Sequence, residues 1–484
     1  EDYFQKFHKE DIMCGGFVWE WCDHGIYKGV AENGKEMYYY GGDHGEDVND
    51  SNFCMDGLVY PDRRPHTGLL EYKNVHRPIR VLAFNQNEKK ITFHNYLDFT
   101  NAKDYIRMKY EVCCDGQIKE EGELPSVSIE PQKSETVELP IEIPEKGSAF
   151  LKVYYYSTKQ TALVPSGHLL GFDEIALENV DRRNQEVVQI IEKFGTAEDE
   201  IKITENDAFV SLEGKQFKYQ LDKRTGLFVN LEFDGVEQIE KPMEINIWRA
   251  PTDNDMYIKT EWYRAKYDKT SVRAYDSQVQ RVGNTVSIHC HMSMSADTVQ
   301  KILGMDTIWT VDGNGAIRLD MKVERYPEFP MLPRFGLRLF LDKHMDNVKY
   351  YGMGPTESYC DKHRASSHGI YSANVKDLHE DYIKPQENGS HYDCAYVNVE
   401  GNSYKLAALS EKAFSFNASV YTQEELTAKK HNFELQPSAN TVLCLDYAQN
   451  GIGSNSCGPE LAEQYRLDSK EFEFSIRLIP YKNC

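Results

Sequence analysis

From about residue 79 to the end of the chain, apolar and polar residues alternate in short runs, the pattern of half-buried β-strands. Between Ile79 and Val180 it is carried by Lys90-Ile-Thr-Phe-His-Asn-Tyr, Val137-Glu-Leu-Pro-Ile-Glu-Ile and Phe150-Leu-Lys-Val-Tyr-Tyr-Tyr, broken by Gly, Pro and Asp. About 100 residues of this kind predict an antiparallel sandwich of immunoglobulin type. Asn179 to Asp199 is polar and charged, with Asp181-Arg-Arg-Asn-Gln-Glu at its start, and reads as a linker. Strand patterns resume from Glu200, in Lys202-Ile-Thr-Glu, Phe217-Lys-Tyr-Gln-Leu, Ala316-Ile-Arg-Leu-Asp-Met-Lys-Val and Phe472-Glu-Phe-Ser-Ile-Arg-Leu. No solenoid period accompanies them, so one large β domain is expected.

The first 78 residues are different. Phe4 and Phe7 stand at helical spacing, and Gly15-Gly-Phe-Val-Trp-Glu-Trp is an apolar run that reads as a buried strand. Asn33 to Gly57 is dense in Gly, Asp and Asn and reads as a long loop, and loops of that length inside compact domains tend to be functional.

Composition narrows the function. The 484 residues are enough for about three domains. With 55 Lys and Arg against 77 Asp and Glu, the net charge of −22 argues against nucleic acid held through counterion release. No run approaches the roughly 20 apolar residues that span a bilayer, so no membrane association is expected. Eleven cysteines without a C-x-x-C pair point to free thiols in a reducing, cytoplasmic compartment. Glu1 is neither an initiator Met nor the start of a signal segment, so the expectation is a chain that begins inside a longer protein.

Candidate chemistry gathers in the first 60 residues. Gly41 to Asp50 holds Asp43, His44, Glu46, Asp47 and Asp50, without EF-hand spacing. It reads either as ordinary acidic turn chemistry or as a cation or sugar-hydroxyl site. Trp19 and Trp21 alternate, so both face one way, as core residues or as a stacking platform for a sugar. Glu20 and Asp23 invite a paired-carboxylate reading that spacing alone does not establish. Nucleophile-elbow, zincin and P-loop signatures are absent. Gly352-Met-Gly-Pro and Gly451-Ile-Gly-Ser read as turns or as places where backbone comes close to something else.

Several longer motifs follow one another in order: Gly15-Gly-Phe-Val-Trp-Glu-Trp, Tyr40-Gly-Gly-Asp-His-Gly-Glu, Asn49-Asp-Ser-Asn-Phe-Cys-Met-Asp-Gly-Leu-Val and Asp62-Arg-Arg-Pro-His-Thr-Gly-Leu-Leu-Glu-Tyr-Lys. Arg249-Ala-Pro-Thr-Asp-Asn-Asp, Tyr351-Gly-Met-Gly-Pro-Thr-Glu-Ser-Tyr, Pro385-Gln-Glu-Asn-Gly and Gly453-Ser-Asn-Ser-Cys-Gly-Pro come after them. With these the chain resembles the bacterial β-galactosidases of glycoside hydrolase family 2 over nearly its whole length. The resemblance implies a mainly β protein. Residues 1–78 would be the C-terminal piece of a (β/α)8 barrel with the Gly15–Trp21 run as its eighth strand, residues 79–185 an immunoglobulin-like β-sandwich, and residues 186–484 a large antiparallel C-terminal sandwich.

It further implies a retaining hydrolase of terminal β-galactosides such as lactose. Its acid/base and nucleophile glutamates and its magnesium ligands would lie before Glu1, leaving no catalytic residue here and a chain inactive by itself. Trp19 would stack on galactose, and Asp50 would order the pocket or touch substrate. The Phe53 carbonyl and Asp56, an Asn in many relatives, would hold sodium. Cys457 would stand where some members place a Trp at the leaving-group subsite. Met353, Asp381 and Ala395 also depart from the usual pattern. Implied partners are the sugar, the missing N-terminal part of the enzyme and further copies of the protein. The alternative is a non-catalytic carbohydrate-binding or assembly module. β-Glucuronidases and β-mannosidases fit less well, because they generally lack the large C-terminal sandwich.

Overall fold

The computed structural model describes residues 1–194, 199–453 and 456–482. The chain divides into two compact units. The first comprises Glu1–Tyr27, Tyr39–Glu186 and Arg364–Ile370, and the second Lys28–Tyr38, Val187–His363 and Tyr371–Cys484.

In the first unit, alternation builds a seven-stranded sandwich. One sheet has the strands Ile79–Asn85, Lys90–Asn95 and Ser134–Glu138, and the other Gln117–Glu123, Ile106–Cys114, Ala149–Ser157 and Leu169–Ala176. Ile91 and Phe93 from the first sheet meet Leu151, Val153 and Tyr155 from the second in a core without solvent exposure. The rings of Phe93 and Tyr155 meet edge to face, their centres 6.5 Å apart. The Tyr155 hydroxyl donates to Asp173 at 2.5 Å, and Asp173 also accepts from Arg77 at 2.8 Å, just past the helix Thr67–Val75. A distant segment, Arg364–Ile370, completes the unit. Glu71 accepts from the backbone N–H groups of Arg364 and Ala365, and buried Lys152 donates to Ser367 Oγ at 3.0 Å and to the His368 carbonyl at 2.5 Å.

Three expectations about elements need correction. Phe4 and Phe7 do lie on a helix, Asp2–Lys9. The Gly15–Trp21 run, however, is neither strand nor buried: Phe17, Val18, Trp19 and Trp21 are exposed and the run belongs to none of the sheets. A strand needs a neighbour for its backbone groups, and only Glu20 onward finds one among the described residues. Asn33–Gly57 is not one loop, since Ile26–Val30 and Glu36–Tyr39 form a two-stranded sheet and Ser51–Cys54 is a turn of 3-10 helix. Finally, the presumed linker contains the helix Gln185–Phe194; Val187, Ile190 and Ile191 have the helical spacing that its charged flanks masked. Residues 195–198 of that stretch lie outside the described residues.

In the second unit a five-stranded sheet, from Lys202–Glu205 to Val236–Glu237, accompanies a twelve-stranded antiparallel sheet. The main path of the large sheet runs Lys241–Asn246, Arg334–Asp342, Asn440–Gln449, Tyr404–Ser419, Glu471–Lys482, Ile317–Arg325, Leu303–Val311, Thr285–Ala296 and Thr270–Val282. Trp309 is fully buried, meets Phe228 edge to face and donates its indole N–H to the Gly226 carbonyl at 2.8 Å. The strand Arg334–Asp342 is buried on both faces: Phe335, Leu337, Leu339 and Leu341 enter the apolar core, while Arg334 and Arg338 project on the opposite side.

Those arginines are paired. Arg334 is fully buried and binds Asp446 through two nitrogens, at 3.1 and 2.5 Å, and Glu387 at 2.6 Å. Arg249, also fully buried, binds Asp255 at 3.1 and 2.7 Å and donates to the carbonyls of Asn450 and Gly451. Glu357 accepts from Lys362 at 2.6 Å, from the Tyr382 hydroxyl at 2.8 Å and from Gly389 N–H at 2.8 Å. Although burial opposes its charge, Lys362 and these donors hold its carboxyl down at about 2. Removing one member of a buried pair strands the other charge. Arg334→Leu should therefore cost about 3–5 kcal/mol in denaturant unfolding.

His391 supplies a second test. It is enclosed, with Nδ1 3.0 Å from the Tyr350 hydroxyl and its ring on Phe416, and burial lowers its pKa from 6.5 to about 4. Between these values the unfolded chain takes up a proton that the folded chain refuses. Stability should thus fall by about 1.4 kcal/mol per pH unit as pH drops from 6.5 towards 4, and His391→Gln should abolish that part of the slope.

Candidate functional site

The exposed aromatic run ends where the backbone turns onto a parallel partner. Leu58 N–H donates to the Glu20 carbonyl, Val59 N–H to the Trp21 carbonyl and Asp23 N–H to the Val59 carbonyl, each at 3.0 Å. The approach is so close that a Cβ on Gly57 would lie 2.2 Å from the Asp23 nitrogen, which only glycine permits. Asp23 is buried; one carboxylate oxygen accepts from Gly57 N–H at 2.8 Å and the other lies 2.8 Å from His66 Nε2. His66 in turn stacks on Tyr60, 3.7 Å between ring centres. These bonds give Asp23 the role of a clamp between residues 23, 57 and 66. Glu20 pairs with His24 at 3.0 Å.

In the acidic loop most side chains are spent on the backbone. Asp43 accepts from Tyr40 N–H at 2.8 Å, and Asn49 from Ser51 N–H at 3.0 Å. Glu46 accepts from the N–H groups of Gly42 and His44, and these bonds lower its pKa. This is turn chemistry. Among the described residues no three or more His, Cys, Asp or Glu side chains gather as a metal site. Asp50 is exposed, and its carbonyl accepts from Phe53 N–H at 3.1 Å as the Ser51–Cys54 turn begins.

Asp56 is the exception. Its Oδ1 is buried without a hydrogen-bond partner, and burial, followed by the charge of Glu20, raises its pKa. An oxygen in that state suits a cation better than it suits an apolar surround. The Trp19 side chain, 82% exposed, belongs to the residue before Glu20, whose N–H points to the Asp56 carbonyl at 3.4 Å. Trp19, Asp50, Phe53 and Asp56 all lie in the first unit. Cys457 is exposed in the second, just after Ser454 and Asn455, which fall outside the described residues.

Pattern reading missed several residues that shape these places. The Asp23–His66 clamp gave no signal, since 43 residues separate its members. Asp381, a departure from the resembled pattern, accepts from Lys35 at 2.7 Å and Asn432 at 2.9 Å; despite burial, His379 and Lys35 hold its pKa at about 2. Arg249 and Asp361 grip the backbone of residues 450–453. There the glycine signal was present: a Cβ on Gly451 or Gly453 would meet Asp361 at 2.7 or 3.1 Å.

Comparison with known proteins places the chain among multidomain glycoside hydrolases. Residues 1–81 match the TIM barrel domain of glycosyl hydrolases family 2, and residues 91–178 match domain 4 of β-galactosidase. Residues 213–478 match the β-galactosidase small chain, and the chain belongs to that family. It is 44% identical over 481 residues to a β-galactosidase of Actinobacillus pleuropneumoniae, covering 99% of this chain and 46% of the relative. It is 36% identical over 472 residues to one of Staphylococcus xylosus, covering 97% and 46%. The chain thus spans about half the length of the curated relatives it matches.

Relief of the stranded Asp56 charge is measurable. A carboxyl whose folded pKa is raised loses stability as pH climbs from 3.8 through that raised value. In buffer free of sodium, Asp56→Asn should melt at the same temperature as the parent chain or higher at pH 7, and should lack the parent's decline over that interval.

Proposed function

We propose that this chain is the C-terminal portion of a retaining β-galactosidase that releases terminal non-reducing β-D-galactose from lactose-type substrates. The observation that carries this reading is the 44% identity, over 99% of the chain, to a relative named β-galactosidase. In the reading, the two catalytic glutamates and the magnesium ligands come from a companion segment of the same enzyme. The exposed Phe17, Val18, Trp19 and Trp21 supply apolar surface that such a segment would cover.

One companion glutamate attacks the anomeric carbon while the other protonates the leaving oxygen and then activates water. This chain's part is binding and orientation. Trp19 presents its ring to the apolar face of galactose, which fixes the plane of the sugar. Asp50 orders the turn that carries Phe53. The Phe53 carbonyl and Asp56 Oδ1 would hold sodium, and the ion would supply a positive charge to offset the buried carboxylate. Cys457, in the second unit, takes in this reading the position where some family members carry a Trp, and a thiol offers less stacking area than an indole. All ten described cysteines are free thiols, which supports a reducing cytoplasm as the place of work. Further copies of the assembled enzyme are partners in the same reading.

The test is hydrolysis of an aryl β-galactoside by the chain alone and by its mixture with a separately made companion segment, with sodium and magnesium present. Activity should appear only in the mixture, and Trp19→Ala should lower kcat/KM there by about tenfold, the worth of one ring contact. Turnover by the chain alone would refute the placement of the glutamates. A folded but silent mixture would favour a carbohydrate-binding module.

A further inference from the structure

Residues 20–24 hold the segment 53–57 at both ends. His24 N–H donates to the Cys54 carbonyl at 3.0 Å, where the Ser51–Cys54 turn closes, and the Asp23 carboxylate accepts from Gly57 N–H at 2.8 Å. Phe53 and Asp56, the residues that the hydrolase reading gives to sodium, each stand next in the chain to one of these bonds. Between the two ends, Glu20 N–H points to the Asp56 carbonyl at 3.4 Å.

Asp23 is the fixed point of this arrangement. It is 3% exposed, and its second oxygen lies 2.8 Å from His66 Nε2. His66 is itself held, since its N–H donates to the Leu58 carbonyl at 3.0 Å, its ring stacks on Tyr60, and it stands at the start of the helix Thr67–Val75. A buried carboxylate bonded through both oxygens keeps one orientation, and so does the N–H that it grips. Ligands fixed in advance by such outer partners spare a cation the cost of ordering them.

We infer that Asp23, held by His66, is the positioning residue that sets the Phe53 carbonyl and the Asp56 carboxylate for sodium. The inference deepens the hydrolase reading above and rests on it. Asp23 is not itself a ligand, because both of its oxygens are already bonded; it acts through Gly57 N–H.

The test uses Asp23→Ala, Asp23→Asn and His66→Phe. Alanine removes the acceptor for Gly57 N–H. Asparagine keeps that acceptor and turns a donor towards His66 Nε2, while phenylalanine keeps a ring on Tyr60 and removes the bond to Asp23. In the chain alone, sodium chloride should slow hydrogen exchange of the peptide spanning Phe53 and Gly57, compared with choline chloride at the same ionic strength. The sodium concentration at half effect should rise about tenfold in Asp23→Ala and about threefold in His66→Phe, and stay within about twofold of the parent in Asp23→Asn. In the mixture with the companion segment, kcat/KM for an aryl β-galactoside should need correspondingly more sodium and return to the parent value at saturation, which a merely structural defect would not allow. Should Asp23→Ala fail to melt as a folded protein, His66→Phe decides by the same readings. Parental sodium dependence in the folded variants, or an Asp23→Asn as impaired as Asp23→Ala, would overturn the inference and leave the hydrolase reading intact. So would a parent that turns over in the mixture without any response to sodium. A silent parent mixture would overturn both, and the parent's own activity tells these cases apart.

Discussion

Arg334 cannot be buried without its two carboxylates, and the large sandwich is organised by that requirement. An unpaired charge inside a protein is far costlier than a missing apolar contact. Asp446 reaches it from the neighbouring strand and Glu387 from a loop, so three segments remote in sequence meet at one guanidinium. The pairing shifts register between Phe335 and Gly336, and a Cβ on Gly336 would sit 2.3 Å from the Leu445 carbonyl. Glycine there lets the two backbones approach and bring the guanidinium to Asp446. Four residues beyond Asp446 the chain enters the segment gripped by Arg249 and Asp361.

The first unit treats its carboxylates in two ways. Asp23 is almost completely buried and has a partner on each oxygen, an N–H on one and an imidazole on the other. Asp56, less buried, has an oxygen with none and a pKa raised by that surround. The first arrangement stabilises a turn. The second leaves a local cost for a cation to offset, which is why the candidate site centres on Asp56 rather than on the more conspicuous acids of residues 43–47, whose turn bonds already occupy them.

Much of this architecture was legible along the chain. Lys90–Asn95 and Ala149–Ser157 appear as strands where their alternation placed them, and Ile91, Phe93, Leu151 and Val153 of those strands form the core. The glycines of residues 352–354 and 451–453 were legible as turns or as close approaches, and the structure makes them close approaches; a Cβ on Gly352 would meet Cys394 at 2.3 Å. The helix Gln185–Phe194 escaped notice because charge at its borders was weighed above the spacing of its apolar residues. Gly15–Trp21 misled for the opposite reason: an apolar run reports the wish to be covered, and nothing in it reports whether a neighbour is there.

The sequence by itself determined the alternating strands, the positions where only glycine fits and the ordered motifs of the family, because each is a property of a residue and its near neighbours. Tertiary structure alone decided that Asp23 and Asp446 have partners on their carboxylates while Asp56 Oδ1 has none, and that Asp361 meets the backbone of Ile452 and Gly453. A carboxylate's charge state and role depend on what sits opposite it. That partner lies 43, 112 or 91 residues away, where no local pattern reaches.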